Sequence, residues 1–129
     1  MPEFELKKLV RSKLIDEYEK SGQKVVVREL SMSSRKKELI RKIIEEVQEI
    51  DLASSRNDIA AEFADVNQAV GDLMVLCGVD QDKVELIRQE KLDKKGDFLS
   101  GDYIETIELD EDDRWVDYYR QSPDIFHEI

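Results

Sequence analysis

Five carboxylates stand close together in this chain: Glu45, Glu46 and Glu49 in the run EEVQE, then Glu62 and Asp65 in EFAD. Carboxylates this dense repel one another, so they form either a solvated acidic face or a ligand set for a cation. His127 is far away in sequence and Cys77 lies in an apolar run, so the donors on offer are all oxygen, which suits Mg²⁺ or Mn²⁺ rather than zinc. Such a site neutralises an anionic substrate and lowers the pKa of a water. Everything turns on where the surrounding elements point these side chains.

The apolar pattern puts both groups on long helices. The run SRKKELIRKIIEEVQEI (34–50) reads as one helix, ending near Asp51. SSRND (54–58) is its turn and the cap of the next helix, DIAAEFADVNQAVGDLMVLCG (58–78). Two long helices joined by a short turn form an antiparallel hairpin. With Ile43 as the centre of the buried face and about 100° per residue, Leu39, Ile40, Val47 and Ile50 fall within about 60° of it. Glu46 then lies about 60° to one side and Glu49 about 120° to that side, while Glu45 points further round. From Ile59, the other stripe is Phe63, Val66, Val70, Leu73 and Cys77, with Glu62 about 60° and Asp65 about 120° to the same side. The approximate two-fold axis of the hairpin brings flanks of equal rotational sense together. Glu46, Glu49, Glu62 and Asp65 are therefore expected to converge as metal ligands, with Asp72 extending the acidic edge.

The rest of the chain supports this pair. FELKKLVRSKLIDEYEKSG (4–22) reads as a first helix, irregular near Val10 to Lys13 and stopped by Gly22, and KVVVREL (24–30) as a short extended segment. Ser31, Ser33 and Ser34 compete to cap the following helix. DQDKVELIRQEKLDKKG (80–96) reads as a further helix stopped by Gly96. The tail holds an extended stretch at 103–109 and a short helix around Trp115 to Arg120. The expected fold is all-α, a helical bundle of about four helices with a short extended segment and an irregular C-terminal tail. It makes one domain over 1–129, with its core at about 6–104 and an extension at 105–129.

Composition agrees with amphipathic helices: 40% of the 129 residues are hydrophobic and 40% charged, with five Gly and two Pro. A net charge of −11 argues against duplex nucleic acid and anionic membrane surfaces as partners. A single cysteine excludes an internal disulfide, and its apolar neighbours predict a buried thiol at Cys77. The opening MPEFELKKLVR has neither the apolar core expected of a signal peptide nor the Arg/Ser-rich, acid-poor composition expected of a transit peptide, and no apolar run approaches the roughly 20 residues of a membrane span. A cytoplasmic location is expected.

The two acidic runs, in their order and helical placement, resemble the signature of the all-α NTP pyrophosphohydrolases, the MazG-like superfamily: EExxE, a spacer of a dozen or more residues, then ExxD. KLVRSKLIDEYEKSG (8–22) is similar to the LVRDKIPEII opening of that superfamily's phosphoribosyl-ATP pyrophosphohydrolase-like branch. KLDKKGDF (91–98) resembles the basic segment ending the branch's fourth helix. Ser12 stands where the branch has Asp, and Leu14-Ile15 lacks the Pro that follows there. The likeness covers about residues 6 to 104.

The resemblance implies a bundle often completed as a homodimer or homotetramer, in which carboxylates hold Mg²⁺ against a nucleoside triphosphate. Water attacks the α-phosphorus, and the products are a nucleoside monophosphate and pyrophosphate. It implies Glu46, Glu49, Glu62 and Asp65 as metal ligands, with Glu45, Glu46 and Glu49 as the catalytic group. Glu45 is a base, a support for the ligands, or solvated. Lys91, Lys94, Lys95, Arg11 and Lys13 are the candidate cations for the outer phosphates. Asn67 touches ligand or faces solvent. Trp115, Tyr118, Tyr119 and Phe126 cover a core edge or a partner subunit, or stack a base. Two other functions compete: phosphoribosyl-ATP hydrolysis on the same fold, and a non-catalytic acidic helical protein that binds a basic partner.

Overall fold

Serine hydroxyls decide where the two long helices begin. The computed structural model describes residues 1–52 and 55–129. Ser31 Oγ accepts the Ser34 N–H at 3.3 Å, and Ser55 Oγ accepts the Asp58 N–H at 3.1 Å. Each satisfies one of the amides that a helix N-terminus leaves unpaired. Of the three serines competing upstream, Ser31 is the cap. Ser54, expected in the turn, lies outside the described residues.

The elements in order are α1 (Leu14–Lys20), α2 (Met32–Ile50), α3 (Arg56–Leu76), α4 (Gln81–Lys95) and α5 (Trp115–Arg120). All regular structure among the described residues is helical, as the sequence predicts, and 24–30 and 103–109 form no strand. No helix there is long and apolar enough to cross a membrane. Gly22 and Gly78 end α1 and α3 at φ of 82° and 68°. At each, the next N–H reaches back to the carbonyl five residues earlier, Gln23 to Tyr18 and Val79 to Met74, a closure that needs the left-handed backbone glycine adopts freely.

The first helix is shorter than expected. Helix is confined to Leu14–Lys20, whereas the pattern predicted it from residue 4. Lys7 sits at φ 48°, which interrupts a helix, and Lys8 and Arg11 turn to carboxylates of the hairpin instead. A lone helix of this length gains little from its own hydrogen bonds, so such contacts outweigh propensity.

The chain falls into two compact units, Met1–Lys91 and Leu92–Ile129, a division within α4. In the first, α2 packs on α3 as the predicted hairpin. The rotation of both helices differs from the prediction. Leu39 and Glu46 are the buried residues of α2, and Ala69 that of α3. The contact line of α2 is thus turned about 50° from Ile43 towards Glu46, and that of α3 about 80° from Ile59 towards Glu62. A small side chain lets two helices come close, and the buried residue of α3, Ala69, is one. As a result Ile40, Ile44 and Val47, spaced along one stripe of α2, stay about half exposed, as does Phe63 on α3, where Val75 is 68% exposed. Cys77, expected in the core, is exposed at the C-cap of α3.

In the second unit, the rings of Trp115, Tyr118, Tyr119 and Phe126 pack on one another with centroids 4.9 to 5.7 Å apart, mostly edge to face. Arg120 binds Glu128 at 2.6 Å and Glu111 at 3.2 Å. The aromatic residues thus pack on one another, with Trp115 and Tyr118 still about half exposed.

Candidate metal centre

The rotation of α2 and α3 builds the site. It carries Glu46 into the helix contact, 6% exposed, and brings Glu49 and Glu62 to the edge of that contact. One oxygen from each of these three carboxylates lies within 4.8 Å of the others. Glu62 Oε2 is buried with no hydrogen-bond partner among the described residues. A buried oxygen in that state is costly unless a proton or cation meets it.

The electrostatics follow from this crowding. A proton shared with Glu46 is the main reason the Glu62 carboxyl is pushed up to about 7, with burial and the Glu49 charge adding to it. Burial also pushes Glu46 up. The hydrogen bond from Glu62 and the Lys42 ammonium outweigh it, holding Glu46 below the usual carboxylate value. Lys42 Nζ stands 3.2 Å from Glu46 Oε1, one helical turn away on α2. Lys42 was not among the predicted site residues. Its signal was present, since an ammonium four residues before a buried carboxylate shares its face.

Asp65 departs from the expected four-carboxylate set. It stands one turn beyond Glu62, but its Oδ1 accepts from Arg11 Nη2 at 2.6 Å and it is outside the three-carboxylate cluster. Glu45, which points further round than Glu46 as predicted, pairs with Lys8 at 3.5 Å. Asp72 is exposed and accepts from Gln68 at 3.0 Å, a contact along α3 rather than an extension of the cluster. Asn67, exposed, lines an open cavity of about 420 Å³ with Ala64, Gln68, Gly71, Asp72 and Gln81.

Of the five candidate phosphate-binding cations, the hairpin gathers one, Arg11. Lys13, at the N-cap of α1, is exposed. Lys91 is exposed near the end of the first unit. Lys94 and Lys95, in the second unit, are exposed in the last turn of α4, where the helix dipole favours positive charge. His127 is also exposed.

The donor set fits a hard divalent cation, because three carboxylates converge and one of their oxygens is buried without a partner. Glu46, Glu49 and Glu62 could hold such an ion, and Asp65 adjoins them. No protein-family model, curated protein or solved structure matches this chain.

Proposed function

We propose that this chain is a Mg²⁺- or Mn²⁺-dependent nucleoside triphosphate pyrophosphohydrolase that cleaves the α–β phosphoanhydride to give a nucleoside monophosphate and pyrophosphate. The observation that carries this reading is the convergence of Glu46, Glu49 and Glu62 with the unpartnered Glu62 Oε2 among them. The likeness of the EExxE and ExxD runs to the MazG-like signature gives the reaction class. When bound, the metal supplies charge neutralisation for the polyphosphate and a water of lowered pKa. Glu46, Glu49 and Glu62 would hold it, and Asp65 would join them. Lys42 keeps the buried Glu46 ionised and ready to ligate. Arg11 stands at the rim as a partner for an outer phosphate.

The chain works as a homodimer or homotetramer in the cytoplasm, clearing non-standard nucleotides. Support for assembly is the half-exposed stripe Ile40, Ile44 and Val47, more apolar surface than α3 covers. A second copy would cover it, and sedimentation equilibrium measures whether one does.

The test is pyrophosphate release from a panel of canonical and modified nucleoside triphosphates, with Mg²⁺ or with EDTA. Metal-dependent release of pyrophosphate rather than orthophosphate is expected, falling at least about 100-fold in Glu49→Ala and in Asp65→Ala. Unchanged activity in both variants would overturn the site.

A further inference from the structure

The residues before α1 form neither helix nor strand, yet they are tied to the hairpin at two points beside the carboxylate cluster. Lys8 Nζ meets Glu45 Oε1 at 3.5 Å on α2, and Arg11 Nη2 meets Asp65 Oδ1 at 2.6 Å on α3. The segment therefore runs from one helix of the site to the other, held by side chains. Asp65 lies one turn from Glu62 on the same flank of α3, which puts it beside both Arg11 and the cluster. It cannot serve both well, because a carboxylate oxygen bound to a guanidinium repels a second cation there.

We infer that Arg11 and a divalent cation are alternative partners of Asp65, making the N-terminal segment a strap that lies across the site in the metal-free protein and is released when Asp65 turns to the metal. This rests on the metal reading proposed above. It explains why three of four expected ligands converge while the fourth is turned away. It also gives Arg11 two successive partners: Asp65 before loading, and an anionic group of the substrate afterwards, so that a phosphate-binding cation is presented only at a loaded site. The Arg11–Asp65 pair is weak enough to exchange, since both side chains are substantially exposed, at 59% and 40%. Loss of that pair loosens the segment, because the Lys8 contact remaining is longer and equally open to solvent.

The test uses the full chain and Mn²⁺ alone, with two readouts independent of activity. Free Mn²⁺ is followed by electron paramagnetic resonance, and the strap by the rate of tryptic cleavage after Lys7, Lys8 and Lys13. In the wild type, Mn²⁺ is expected to speed cleavage at these sites. In Arg11→Gln, cleavage is fast with or without Mn²⁺, and Mn²⁺ binds about two- to fivefold more tightly because its competitor for Asp65 is gone. Arg11→Lys, which keeps a cation, is expected to restore the wild-type pattern in part. Weaker or unchanged Mn²⁺ binding by Arg11→Gln would overturn the exchange and make Arg11 a support that holds Asp65 in place. Wild-type protein that binds Mn²⁺ without faster cleavage would overturn the strap and leave the metal site standing. Wild-type protein that binds no Mn²⁺ would overturn both.

Discussion

Glutamates meet cations in two different ways in this molecule. In the second unit one guanidinium serves two carboxylates: Arg120 binds Glu128 and Glu111, all three solvent-accessible. The Arg120 contact holds Glu128 below the usual carboxylate value, and both glutamates in turn push Arg120 up. On the hairpin, three converging carboxylates have one ammonium among them, that of Lys42 on Glu46, and Glu62 keeps a proton up to about pH 7. Residue types are alike in both places, but the balance of charge and access to water differ. An open cluster with enough positive charge is a tie between segments. A half-buried one with a surplus of negative charge has capacity left for a ligand.

Removal of Lys42 is the severest way to break this contrast. Lys42→Met leaves the buried Glu46 without its ammonium and is expected to destabilise the metal-free protein by about 2 kcal/mol, read by urea unfolding. Mn²⁺ is expected to return more stability to this variant than to the wild type. Equal stability of the two metal-free proteins would show that Glu46 needs no counter-charge.

A smaller effect is expected from pH, because Glu62 sits at the edge of the helix contact. Its folded pKa, about 7, lies above the ordinary glutamate value of 4.5, so the folded state holds the extra proton between these values. Stability of the metal-free protein therefore falls as pH rises from about 4.5 to about 7. Glu46, shifted the other way, loses its contribution only as pH falls below the ordinary carboxylate value, so the two windows are separate. Melting temperatures across this range would show the slope, and Glu62→Gln or saturating Mg²⁺ is expected to flatten it. A slope that survives Glu62→Gln would assign it to another group.

The smallest effect is expected at the exposed tie. Glu128→Gln removes one of two carboxylates from an accessible guanidinium, and solvent-exposed pairs of this kind contribute little. No resolvable change in melting temperature is expected, with or without metal. A large loss would mean that this contact holds the second unit together and would dissolve the distinction drawn here.

Much of the architecture was legible in the sequence. The hairpin was visible because apolar spacing, serine caps and Gly78 all mark the same boundaries, each through local backbone chemistry. Glu46, Glu49 and Glu62 were legible as a converging set because two helices carried one pattern in one rotational sense. The contact that Asp65 makes with Arg11 was not legible, since Arg11 lies 54 residues away in sequence and in a segment whose pattern favoured helix. Cys77 was misjudged because apolar neighbours show that a stretch can be buried, but leave open which side of it is.

By itself, the sequence determined the long helical segments, where the helices stop, and that carboxylates fall on one flank of each long helix, because those properties depend on residues within a few positions of one another. It did not show that residues 4–13 stay out of the first helix. Only the tertiary structure decided how far each helix turns about its own axis. That angle depends on which side chains let two backbones approach, and here it buried Leu39, Glu46 and Ala69 and left Ile40, Ile44 and Val47 about half exposed. The same turn decided which carboxylates meet each other and which, like Asp65, meet a cation from a distant part of the chain.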